Sequence, residues 1–168
     1  MLFEIVHEFD IPLDAIELAV ISPGLCATLS AQLANIATLR QKTHTLTDGV
    51  LERVWSFQAN VKVPAFAKAY VTREMLAWDE RTLYDLKTHS STWTIAPHVK
   101  PDWQKYFSAK GSYSLVSSGD GHTRRIVRGE LDLKVPVVRQ VAERMIVSEV
   151  KKTFEAEAAT LRDLATLV

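Results

Sequence analysis

The chain has 168 residues, 47% of them apolar, with twenty basic and twenty acidic side chains and a formal net charge of zero. That length and composition describe one globular domain spanning residues 1–168. No block of like charge stands out, so nothing in the linear order marks a nucleic-acid or membrane-surface footprint.

The chain opens Met1-Leu2-Phe3-Glu4, with acid where a signal peptide carries base. The apolar runs fall short of the ~20 residues that cross a bilayer. A cytoplasmic protein with no stable membrane insertion is expected. Phe3, Ile5 and Phe9 alternate with Glu4 and Glu8, a period of two that predicts a strand buried on one face, with His7 on the apolar side. Asp10-Ile11-Pro12 breaks it, and Asp10 is placed to cap a short helix over Leu13–Ile21. Ser22-Pro23-Gly24 separates this from a second short helix, Leu25–Leu33. That helix holds the single cysteine, Cys26, whose apolar neighbours mark it as a small buried residue. One cysteine excludes an intramolecular disulfide and a cysteine-only metal site.

Ile36–Thr47 is rich in β-branched residues but alternates poorly. Asp48-Gly49 then gives a strong hairpin signal, because both residues tolerate positive φ. Val50–Ala59 is the partner strand, with Leu51, Trp55 and Phe57 on one face and Arg53 among them. Val61–Ala69 leaves a short helix, a loop and an edge segment open. A long strand is expected over Glu74–Thr88, placing Leu76, Trp78, Tyr84 and Leu86 on one face, with Glu80 sharing it. Ser90–Ala96 turns Trp93 and Ile95 inward, and His98–Trp103 reads as a polar loop. Tyr106–Val116 groups Phe107, Ala109, Tyr113 and Leu115. Beyond the turn at Gly119-Asp120-Gly121, His122–Val135 sets Val127, Leu131 and Leu133 on one side together with Arg125.

Pro136–Val168 reads as one helix roughly 50 Å long. Its apolar stripe runs through Val138, Val141, Met145 (or Ile146), Val150, Phe154, Ala158, Leu161, Ala165 and Val168, with Glu143 and Glu157 placed off it. Strands joined by short turns and segregated from helices predict an α+β fold with an antiparallel sheet of about seven strands. Such a sheet curls strongly, and the terminal helix is the natural cover for its concave face.

This order, together with Phe3-Glu4-Ile5-Val6-His7-Glu8-Phe9-Asp10, Trp78-Asp79-Glu80-Arg81-Thr82, the run Gly121 to Leu131, Lys134-Val135-Pro136 and Ala142-Glu143-Arg144, resembles the START or birch-pollen-allergen-like (SRPBCC) helix-grip superfamily. Within it, the chain is similar to an uncharacterised bacterial branch, a domain of unknown function. The resemblance spans essentially the whole chain. It implies a cavity between sheet and helix, as in members that bind lipids, sterols or polyketides. Other members catalyse cyclisation, ring hydroxylation or aromatase chemistry, or serve as co-chaperones or structural modules. The Cys/His pair of the ring-hydroxylating members is missing, so no catalytic residue is carried over.

His7, Arg53, Glu80 and Arg125 stand on apolar strand faces. A buried charge needs a partner, water or a ligand, and Glu80 and Arg125 are expected to be able to pair inside the concavity. A register slip that turns one or more of them to solvent, and a buried pair with no ligand, are the competing readings. The candidate cavity wall is Trp55, Trp78, Glu80, Trp93, Tyr113 and Arg125 on the sheet, with Met145 and Phe154 on the helix. The histidines are scattered, without metal-ligand spacing, and neither a nucleophile elbow nor a phosphate loop is present. No cofactor and no metal are expected. The expected function is binding of a hydrophobic small molecule or lipid in the cavity. The alternatives are a filled-core structural or protein-interaction module and a cyclase- or aromatase-like enzyme using cavity Arg or Glu.

Overall fold

The computed structural model describes residues 1–137 and 139–167. Its centre is one antiparallel seven-stranded sheet in the order β1-β7-β6-β5-β4-β3-β2. The strands are β1 Leu2–Phe9, β2 Ile36–Thr47, β3 Val50–Ala59, β4 Ala77–Asp85, β5 Ser90–Pro97, β6 Phe107–Gly119 and β7 His122–Leu133. The fold is α+β, as expected, and the sheet is curved around its apolar face.

The topology has one long jump, from β1 at one edge to β2 at the other. Helices α1 (Leu13–Ile21) and α2 (Leu25–Ser30) make it, burying Ile16, Ala19, Val20, Leu25, Cys26 and Leu29. Burial pushes the Cys26 thiol up from its ordinary pKa. The C-terminal helix α4 (Arg139–Ala165) lies over the concave side and packs on α1, α2, β1 and β7.

Several boundaries differ from the sequence pattern. The poor alternation of β2 has a cause: register shifts at Ile36/Thr38 and Gln41/Thr43 each reset which face a side chain takes. The first residues expected in β4 form a 3-10 turn, Arg73–Leu76. Another such turn, Ala65–Ala67, lies in the segment left open between β3 and β4. In the expected polar loop, Pro101 opens a short helix, α3 (Pro101–Gln104). Asp10 does not cap α1, which starts after Pro12 with no side-chain cap; its carboxylate sits 3.0 Å from His122 Nδ1. Pro136 lies in the turn before α4 rather than in its first turn. Val138 and Val168 of the expected stripe fall outside the described residues.

The buried face of α4 runs through Glu143, Val147, Phe154, Glu157, Ala158, Leu161 and Ala165. Ile146 and Val150 are half-buried against the core. Val141 is exposed. The step of five residues from Met145 to Val150 is not a helical one, and Met145 stands roughly 180° around the helix from Phe154. Glu143 and Glu157, expected off the stripe, are on it.

Candidate functional site

Cross-strand register builds the concave face in rows. Trp55, Glu80, Ile95, Ala109 and Leu131 oppose one another across β3, β4, β5, β6 and β7. The next row is Arg53, Thr82, Trp93, Gly111, Gly129 and Phe3, and Tyr84, Ser91, Tyr113, Val127 and Ile5 form the one beyond. Period-two alternation therefore brings Trp55, Glu80, Trp93, Tyr113 and Arg125 to one surface.

Two glycines shape the middle row. A Cβ on Gly111 would strike the Trp93 indole and the Arg128 carbonyl, and one on Gly129 would strike the Phe3 ring. Their bare backbones let both aromatics lie against the sheet. Phe3 and Trp93 ring centres are 6.3 Å apart, and Trp93 and Phe154 are 6.1 Å apart, so helix and sheet touch here. Nearer the other end, Trp78 stacks on Phe57 at 5.1 Å.

One end of the concavity is closed by charge. Arg125, fully buried, donates from Nη1 to Glu157 Oε2 at 3.0 Å and from Nη2 to the Phe154 carbonyl at 2.9 Å. Arg53 Nη2 donates to the other oxygen of Glu157 at 3.4 Å, and its Nη1 to the Val20 carbonyl at 3.3 Å. The Arg53 guanidinium also lies 3.9 Å over the Trp55 ring. One carboxylate on α4 thus holds β3 and β7, and through the Val20 carbonyl the end of α1.

Arg125 Nη2 also reaches His7 Nδ1 at 3.3 Å, while His7 Nε2 lies 3.1 Å from Glu155 Oε1. Burial, seconded by the Arg125 charge, holds His7 below its ordinary pKa. A neutral ring with the proton on Nε2 fits both neighbours.

The expected Glu80–Arg125 pair does not form. The residues sit on β4 and β7, three strand spacings or roughly 14 Å apart across the sheet, and the helix supplies the counter-charge instead. Sequence reasoning missed Glu157, although a signal was present. Glu157 lies three residues after Phe154 and four before Leu161, a stripe position by helical period.

Among the described residues, Glu80 has no cation in hydrogen-bond reach. Its one hydrogen-bond partner is the Thr82 hydroxyl, at 3.3 Å. Burial pushes its pKa up to about 7 against the pull of Arg53. Its carboxyl is deep in the protein, yet the residue keeps accessible surface, as do Trp78, Ile95 and Phe107 nearby. Among the described residues, the concave face also carries buried polar atoms without a hydrogen-bond partner: Trp55 Nε1, Trp93 Nε1, Tyr113 Oη, Ser91 Oγ, Arg53 Nε and Arg125 Nε. Burial, above all, raises the Tyr113 pKa, so the phenol keeps its proton.

On α4, Phe154 reaches the site and Met145 does not, for the helical reason given above. Two surface depressions lie elsewhere. One of about 560 Å³ is lined by Lys134, Val135, Pro136, Val137, Arg139, Gln140 and Val141, and one of about 440 Å³ by Arg40, Gln41, Lys42, Ser56 and His98. Among the described residues, no three His, Cys, Asp or Glu side chains gather in a metal-holding group, and no helix is long and apolar enough to cross a membrane.

Solved structures share this architecture at low identity. Norcoclaurine synthase from Thalictrum flavum superposes with a TM-score of 0.67 at 15% identity, over 99% of this chain and 86% of that one. The protein TTHA0849 from Thermus thermophilus gives 0.65 at 12%, over 99% and 98%. The Zhui aromatase/cyclase from Streptomyces sp. R1128 gives 0.63 at 11%, over 99% and 94%. At these identities the likeness establishes the helix-grip fold alone. No curated protein matches the chain by sequence. A family model described as "Protein of unknown function (DUF2505)" matches residues 4–164. The chain therefore belongs to the DUF2505 family, with a helix-grip fold.

Proposed function

We propose that the protein binds a hydrophobic small molecule or lipid between the concave face of the sheet and α4. The observation that carries this reading is Glu80. Its carboxyl is deep in the protein, on the aromatic-lined concave face, with Thr82 as its hydrogen-bond partner and no cation in reach among the described residues, which is the setting a ligand or water would complete. Trp55, Trp78, Ile95 and Phe107 share that face and would give a ligand apolar surface. The unpartnered donors of Trp55, Trp93 and Tyr113 supply the few placed polar groups that fix a ligand's orientation. Solved relatives with aromatase/cyclase or norcoclaurine synthase activity in their names are consistent with such a use of the fold.

A second reading has its own support. A carboxyl that titrates near neutrality in an apolar setting suits a general acid or base, so a cyclase-like enzyme acting through Glu80 is the alternative. Native mass spectrometry of gently purified protein should find a co-purified small molecule. Fatty acids or flavonoid-like aromatics should raise Tm, and Trp55→Ala should abolish that rise. A crystal structure with a solid interior, together with an unmoved Tm across both probe classes, would overturn the binding reading. Turnover of a carbonyl substrate that is lost in Glu80→Gln would favour the enzyme.

A further inference from the structure

The antiparallel order puts the β3–β4 loop (60–76), the β5–β6 loop (98–106) and the β7–α4 connection (134–137) at one end of the sheet. They touch. The Lys134 amide donates to the Tyr106 carbonyl at 2.8 Å, the His98 amide donates to the Ala77 carbonyl at 2.8 Å, and Glu74 feels the charge of Lys100.

Two kinds of side chain crowd this end. Phe66, Tyr70, Trp103 and Tyr106 are exposed, Phe66 by 58% and Trp103 by 51%, and the Trp103 and Tyr106 rings lie 5.8 Å apart. Lys62, Lys68, Arg73, Lys100 and Lys105 are also exposed, with no ion-pair partner among the described residues. Lys134 and Arg139 flank them and share Asp132. Only Glu74 and Asp102 oppose these cations within the loops themselves. Five cations without an ion-pair partner thus stand beside the exposed aromatics at this end. The opposite end, with the turns at Asp48 and Asp120, does not repeat this.

We infer that this end docks on an anionic lipid bilayer. Tryptophan and tyrosine settle at the headgroup level of a membrane, and unpaired lysines beside them are drawn by an anionic leaflet. The aromatics are exposed in the segments between strands, which suits insertion among headgroups better than the groove that tracks a nucleic-acid strand. Docking is peripheral and needs no spanning segment. It stands independently of any ligand in the concavity.

The test is sedimentation of the full chain with vesicles of phosphatidylcholine alone, or with about 30 mol% phosphatidylglycerol. Binding is expected only to the anionic vesicles and should fade as salt screens the charges. Each basic residue removed from the end should weaken it roughly fivefold. Lys100→Glu/Lys105→Glu should therefore lose at least about 25-fold, and Phe66→Ser/Trp103→Ser should lose most of the rest. Lys87→Glu, at the opposite end, should bind as the parent does. Circular dichroism confirms that each variant is folded. Equal binding to neutral vesicles, no binding to anionic ones, an unchanged Lys100→Glu/Lys105→Glu variant, or displacement by a single-stranded oligonucleotide would overturn the inference.

Discussion

Glu157 on α4 divides its two carboxylate oxygens between two buried arginines, Arg125 at 3.0 Å and Arg53 at 3.4 Å. Among the described residues, neither guanidinium has another carboxylate within ion-pair distance. Replacing Glu157 with leucine therefore strands two charges in the interior, and breaking such a buried set costs about 3–5 kcal/mol. Urea denaturation should show that loss in the midpoint. Changing Arg53, Arg125 and Glu157 together to apolar residues of similar volume should recover most of it.

Glu80 gives a pH signature with a definite sign. Its folded pKa, about 7, stands above its ordinary value of 4.5. Its contribution to stability is therefore complete below about pH 4.5 and is lost as pH rises through about 7. Glu80→Gln removes the ionisation. The variant should match the parent at pH 4 to 5 and be the more stable at pH 8, by about 1–3 kcal/mol. Urea midpoints at the two pH values check this.

His7 has the opposite sign. Its folded pKa lies below the ordinary 6.5. As pH falls below that value, the unfolded chain takes up a proton that the buried ring resists, and stability declines. His7→Gln should remove this decline below about pH 6.5 and leave the opposite trend of Glu80 exposed, so that its stability rises more steeply than the parent's as pH falls, measured by the same midpoints. Because Glu80 and His7 oppose each other across this window, the parent should show a shallower profile than either single variant reveals.

The middle row of the concave face tolerates no extra carbon. Gly111→Ala drives a methyl into the Arg128 carbonyl and the Trp93 ring, and Gly129→Ala drives one into Phe3. Each should cost about 1–3 kcal/mol, and Gly111→Ala should also alter the Trp93 emission. Gly49→Ala is the contrast. Nothing lies within 4 Å of its added carbon, and its φ of +79° alone makes it costly, by about 1 kcal/mol.

Strand identity and facing were legible in the sequence because period-two alternation and the Asp48-Gly49 turn are local signals. Val50–Ala59 and Ile36–Thr47 carry the same bounds in both readings. The inward position of Arg53 and Arg125 was also visible. Their partner was not, because choosing between Glu80 and Glu157 requires knowing that β4 and β7 are three strands apart. Met145 was misplaced because the stripe was carried across a five-residue step. The cationic end was invisible in the linear order. Its lysines are scattered between Lys62 and Lys134, and only the antiparallel turns gather them.

The pairing of β1 with β7 also bears on how the chain folds. Leu2 faces Glu130 and Phe9 faces Thr123, so the first strand finds its neighbour more than a hundred residues later. The β2–β3, β4–β5 and β6–β7 pairs close over short turns and can zip early. The first strand cannot dock until β7 exists, and α1 and α2 bridge to the far edge meanwhile. So many distant contacts place the domain among slow folders, with times of milliseconds to seconds. During synthesis, Leu2–Phe9 waits unpaired until the ribosome has released nearly the whole sheet.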